Sequence, residues 1–174
     1  MKKILKFTSL FSAVVLFLIL MASCSGYNFY KDWHKAGADI EKNHIFEVIT
    51  LEQAETKKKN GEVFALLFAS STNTESVKVV TSFAAQAEYL EATDKTIYFI
   101  DSTKYTSTSL RNEVRTALGM QDVPTSGAPA VMTFKSKAVD VDTTNKNSTR
   151  TGKFIVNGEI QYSSLASYIF RELA

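Results

Sequence analysis

Two apolar runs of strand length constrain this chain more than anything else in it. Val63-Phe64-Ala65-Leu66-Leu67-Phe68 and Thr96-Ile97-Tyr98-Phe99-Ile100 are almost free of polar interruption, as expected of strands covered on both faces. Between them Val77, Val80, Phe83, Ala84, Ala87 and Leu90 recur every three or four residues, which predicts an amphipathic helix. Buried strands separated by a helix require a sheet with helices packed on its faces.

The flanks continue the alternation. Ile45-Phe46-Glu47-Val48-Ile49 reads as a short strand. Thr50 and Gln53 have the form of a capping box opening a polar helix, which runs through Lys57-Lys58-Lys59 to a stop at Asn60-Gly61. The lysines read as the solvated end of that helix, where cations complement the carbonyl dipole. Leu110, Val114, Ala117 and Leu118 line a helix entered at residues 107–109 and ended at Gly119. Ala130-Val131-Met132-Thr133-Phe134 is a strand, and residues 140–152, rich in Thr, Asn and Asp, read as a long hairpin loop from which Phe154-Ile155-Val156 pairs back. Residues 162–173 close the chain as a helix with Leu165, Ile169 and Leu173 inward. The fold class is α/β, a mixed central sheet flanked by helices in three layers.

The first 26 residues carry an address. Lys2, Lys3 and Lys6 precede an apolar run from Phe7 to Met21, which ends in Ala22-Ser23-Cys24-Ser25-Gly26. A basic head, an apolar stretch and small residues after it make a secretory signal. The tetrad Met21-Ala22-Ser23-Cys24 resembles the bacterial lipobox, in which cleavage exposes a diacylglyceryl-modified cysteine. That likeness implies lipidation at Cys24, a signal over 1–23 and attachment to a bacterial cell membrane, facing outward. Two acyl chains hold a protein stably where a single one is marginal. Two other readings compete: an uncleaved anchor over residues 4–22, and a signal cleaved elsewhere with Cys24 incidental. Residues 24–43 read as a tether. Tyr27, Phe29, Tyr30, Trp33 and His34 within it fit either a short helix packed on the domain or docking at the lipid interface. The domain then covers 44–174.

Charge excludes one class of partner. Without the three lysines of the leader, 17 basic side chains face 18 acidic ones, so nothing in the charge marks a nucleic-acid binder. Cys24 is the one cysteine, which rules out an internal disulfide, a CxxC redox pair and a cysteine-rich zinc site. His34 and His44 both precede the domain, without ligand spacing, and read as surface residues. Asp140 and Asp142 lack the glycine and terminal glutamate of a calcium loop. Asn147-Ser148-Thr149 is a formal glycosylation sequon without meaning in a bacterial lipoprotein. No nucleophile elbow, phosphate loop or dinucleotide fingerprint occurs. No metal, cofactor or catalytic residue is expected.

The order of elements resembles the thioredoxin fold, and the likeness reaches individual residues. Leu67-Phe68-Ala69 looks like the end of the strand that delivers that family's active site. Where the family carries Cys-x-x-Cys, this chain reads Thr72, Asn73, Thr74 and Glu75. Pro129-Ala130-Val131-Met132-Thr133-Phe134-Lys135 resembles the family's cis-proline and the strand after it. The motif Val123-Pro124-Thr125 competes for the same role. By that resemblance Ala128 and Pro129 form a peptide-binding edge and the Ala128–Pro129 bond is cis. Thiol–disulfide exchange needs an attacking thiolate and a resolving sulfur, and the domain has neither. The expected function is a redox-inactive binding module for an extended peptide or protein partner. It is similar to bacteriocin-transport accessory proteins beside export systems, though those generally keep their cysteines. A non-redox enzyme reusing residues 72–75, or a structural envelope protein, are the alternatives.

Overall fold

A computed structural model of the chain describes residues 28–120, 123, 127–135, 138–142, 155–156, 159–160 and 162–174. The expected leader with Cys24, the proline at 124, the sequon at Asn147 and most of the expected hairpin loop lie outside these described residues.

Helix α1 spans Phe29–Lys35 and strand β1 Phe46–Val48. They are followed by α2, Leu51–Lys59, and β2, Phe64–Ala69. Next come α3, Thr74–Tyr89, and β3, Ile97–Asp101. A single 3-10 turn, Ser102–Lys104, leads into α4, Thr108–Leu118. Strands β4, Ala130–Lys135, and β5, Ala138–Asp142, precede the short β6, Ile155–Val156, and β7, Glu159–Ile160. Helix α5, Tyr162–Glu172, ends the chain.

Five strands form one mixed sheet in the order β1-β3-β2-β4-β5. β1, β3 and β2 run parallel, β4 is antiparallel to β2, and β5 is antiparallel to β4. Every residue of β2 is buried, and its side chains alternate between two cores as the pleat demands. Ala65, Leu67 and Ala69 join the core under α1, α3 and α5, where Phe83, Phe99 and Ile169 also sit. Phe64, Leu66 and Phe68 join the core under α2 and α4, with Val114, Leu118 and Met132. The α/β class and mixed sheet expected from the apolar runs are therefore present.

Local chemistry starts and stops the helices as the sequence suggests. Thr50 and Gln53 close the capping box at α2, with hydrogen bonds of 2.7 and 3.1 Å between the two residues. Asn73 caps α3 and Ser107 caps α4, while Gly119 ends α4 in the left-handed region. The lysine run is less solvated than expected. Lys57 pairs with Glu62 at 2.9 Å and lies over the Tyr98 ring, and Lys58 donates to the Ala117 carbonyl. Leu90, expected inward, is 42% exposed because α3 ends there and its cap turns the residue out.

Two larger expectations are corrected. Of the two readings of residues 24–43, the short helix packed on the domain is the one found, and from Asn28 onward the segment belongs to the fold rather than to a tether. Phe29 and Trp33 are 4% and 0% exposed. Phe29 stacks on Trp33 and Phe46 with ring centroids 5.3 and 4.7 Å apart and meets Phe99 edge-on. Aromatic rings bury large areas, and Phe29 and Trp33 bring α1 into the same core as α3 and α5. Lipid docking by Trp33 is excluded by the same burial. The second correction concerns β4's outer partner. It is β5, whose last three residues fall where the loop was expected to begin, whereas Ile155–Val156 pairs with Glu159–Ile160 in a separate ribbon. Ala138-Val139-Asp140-Val141-Asp142 alternates apolar with acid at period two, and that strand signal outweighs the loop composition after it.

Candidate functional site

The parallel strands all point to one end of the sheet, and two chain segments converge there. One is the turn after β2. Ser70 is buried, its hydroxyl accepts from the Thr72 backbone N–H at 3.1 Å, and it shares a 2.7 Å hydrogen bond with the Thr72 hydroxyl. The Asn73 N–H donates to the Ser70 carbonyl at 3.1 Å, closing the turn. The Asn73 side chain then accepts from the Ser76 N–H, which starts α3. Thr72, Thr74 and Glu75 are exposed and Asn73 half-exposed.

The other segment is the loop into β4. Ser76 is fully buried and donates its hydroxyl to the Gly127 carbonyl at 2.8 Å. Gly127 has φ +74°, and a Cβ built on it would stand 2.8 Å from the Ser70 Cβ. Only glycine satisfies both the left-handed backbone and that approach. The loop thus lies against the turn, and Ala128 and Pro129 follow half-buried before Ala130 pairs with Phe68.

No peptide bond among the described residues is cis, so the Ala128–Pro129 bond is trans, contrary to expectation. The positive φ of Gly127 supplies the reversal of direction. Pro129 is then an ordinary proline before a strand, a place where its missing N–H is tolerated.

Glu75 is engaged at this end rather than isolated. Its carboxylate pairs with Lys78 at 2.9 Å and accepts a hydrogen bond from the Tyr162 hydroxyl at the start of α5. The contact ties the two helices of one layer together. No histidine lies at the turn, and the hydroxyls of Ser70 and Thr72 face each other. No group of three or more His, Cys, Asp or Glu among the described residues is placed to hold a metal ion. The arrangement offers shape and hydrogen-bonding groups rather than an activated nucleophile.

The histidines split. His34 is exposed and stacks on Tyr30 with centroids 5.2 Å apart. His44, expected at the surface, is half-buried against the Phe29 ring, and its Nδ1 accepts from the Phe46 N–H. Burial lowers its pKa from the ordinary 6.5.

A groove of about 860 Å³ lies on the other face of the sheet, between the first half of α2 and the length of α4. Leu51, Tyr105, Leu110 and Ala117 line it together with Glu52 and Glu113. Burial, reinforced by the charges of Glu113 and Asp101, raises the Tyr105 phenol, with the Leu51 backbone N–H opposing. The Tyr105 ring packs on Phe68 of the core under α2 and α4, with centroids 5.6 Å apart. Sequence reasoning missed the groove, because its lining comes from two helices 50 residues apart and no motif joins them.

Compared with known proteins, the chain matches no protein-family model and no curated sequence at a significant level. No helix among the described residues is long and apolar enough to cross a membrane.

Proposed function

We propose that the chain is an outward-facing bacterial lipoprotein, acylated at Cys24, whose thioredoxin-like domain has no redox centre and binds an extended segment of a partner. The observation that carries the reading is the contact of Ser76 and Ser70 with Gly127. It sets the turn holding Thr72, Asn73, Thr74 and Glu75 beside the loop holding Ala128 and Pro129. The strand order β1-β3-β2-β4-β5, with β4 antiparallel, supports the thioredoxin-like assignment. An extended segment laid along this end finds backbone groups to pair with, a sequence-tolerant mode of recognition. Glu75 and Thr72 lie where neighbouring side chains would be read.

The test is a photoreactive residue at Thr74 in intact cells, with a second at Lys59 on the opposite end as control. Capture of a partner from Thr74 and not from Lys59 supports the reading. Capture from Lys59 alone removes it. Bulk added at Ala128, as in Ala128→Leu, should weaken capture while leaving the thermal midpoint within a few degrees.

A further inference from the structure

Position along the sheet separates the chain's surface into two ends. The turn at 70–75 leaves from the end where the parallel strands finish. At the other end they begin, and there the exposed large hydrophobic residues gather. Val63, one residue before β2, is 54% exposed; Tyr89 and Leu90, where α3 ends ahead of β3, are 80% and 42% exposed. They are the exposed large hydrophobics among the described residues. Side chains of this kind scattered singly are ordinary, but these three all lie on the two connections of one end, among the exposed Glu62, Glu88 and Glu91.

The start of the domain lies at the same end. Phe29 stacks on Phe46, the first residue of β1, and against His44 just before it. Four Cα steps separate Cys24 from Asn28, a reach of about 15 Å even when fully extended. A compact domain of this size has a radius of gyration of about 15 Å, so its far end stands well beyond that reach.

We propose that the end of the domain where its parallel strands begin rests on the bilayer holding the acyl chains of Cys24, with Val63, Tyr89 and Leu90 at the lipid interface and the 70–75 turn facing away. The inference rests on acylation at Cys24, and adds an orientation to it. Tyrosine suits the role, since its ring is apolar and its hydroxyl stays hydrated at headgroup depth. The lipid anchor supplies affinity; the apolar end selects one posture among those the short tether allows.

The experiment uses the full-length acylated protein in vesicles of phosphatidylethanolamine and phosphatidylglycerol, a fraction of them carrying a headgroup nitroxide. With Cys24 acylated, single cysteines introduced by Val63→Cys, Tyr89→Cys and Thr74→Cys accept a fluorophore selectively. Quenching at 63 and 89 should exceed that at 74 at least threefold. Tyr89→Ser combined with Leu90→Ser should lower quenching at 63 about twofold. Equal or greater quenching at 74, with Cys24 shown acylated by mass spectrometry, overturns the orientation and leaves the anchor standing. A mass spectrum without diacylglyceryl at Cys24 overturns the anchor itself, and the orientation with it. Unchanged quenching at 63 in the double variant removes the role of the apolar end.

Discussion

At the scale of single residues, three side chains carry most of what can be tested. Thr133 is buried in β4, and its hydroxyl has no hydrogen-bond partner among the described residues. Thr133→Val keeps the shape and removes an unsatisfied group, so it should stabilise the domain by about 1 kcal/mol, read as a higher urea midpoint. Gly127→Ala should do the reverse. It forces a Cβ into the left-handed region and against Ser70, at a cost of about 2–5 kcal/mol, measured the same way. His44 gives a pH signature. The folded domain holds the imidazole proton more weakly than the unfolded chain does, so folding stability is complete above about pH 6.5 and declines as the pH falls through the lowered folded value. His44→Asn should flatten the decline. Equal slopes for the two proteins between pH 7.5 and 5 would show that another group is responsible.

At the scale of elements, α1 decides where the domain begins. A fragment starting at Ile45 loses Phe29 and Trp33 and uncovers Phe46 and Phe99. It should expose apolar surface and fail to melt cooperatively, whereas a fragment starting at Ser25 should melt sharply. Phe29→Ala in the longer fragment should cost about 3–5 kcal/mol. The case also marks what can be read from a sequence. β2, α3 and β3 were legible because burial on both faces, or on one helical stripe, writes itself as an unbroken run or a period of 3.6. The caps at Thr50 and Ser107 were legible because each needs only a hydroxyl at one position. α1 was half-legible: its aromatics were visible, but a seven-residue helix has too little period to say what it packs on. β5 was hidden by the polar run after it. At the site, the turn and loop could be named from resemblance. Their contact depends on Ser76 and Gly127, 51 residues apart, and no local pattern reports such a pair.

At the scale of the whole molecule, the absence of a cysteine from residues 25–174 sets the chemistry. A Ser25–Ala174 fragment has no thiol, so it should neither reduce insulin nor oxidise a peptide dithiol above background. Turnover in either assay would require a route other than thiol–disulfide exchange. Ion pairs contribute little to the balance. Lys57–Glu62, Lys59–Glu55 and Lys78–Glu75 are all partly or largely exposed, and such pairs are worth at most about 1 kcal/mol each. Stability resides instead in the two cores that share β2.

That sharing has a consequence for the order in which the chain can fold. β2 lies between β3 and β4, and β1 has β3 as its neighbour, so each early strand waits for one synthesised later. A chain threaded N-terminus first presents β1, α2 and β2 before any sheet partner exists. Non-local pairing of this kind forms slowly, and half of the sheet's central ladder is missing until residue 135 has emerged. The order of the strands thus keeps the leading half of the chain pliable until the later half is free to pair with it.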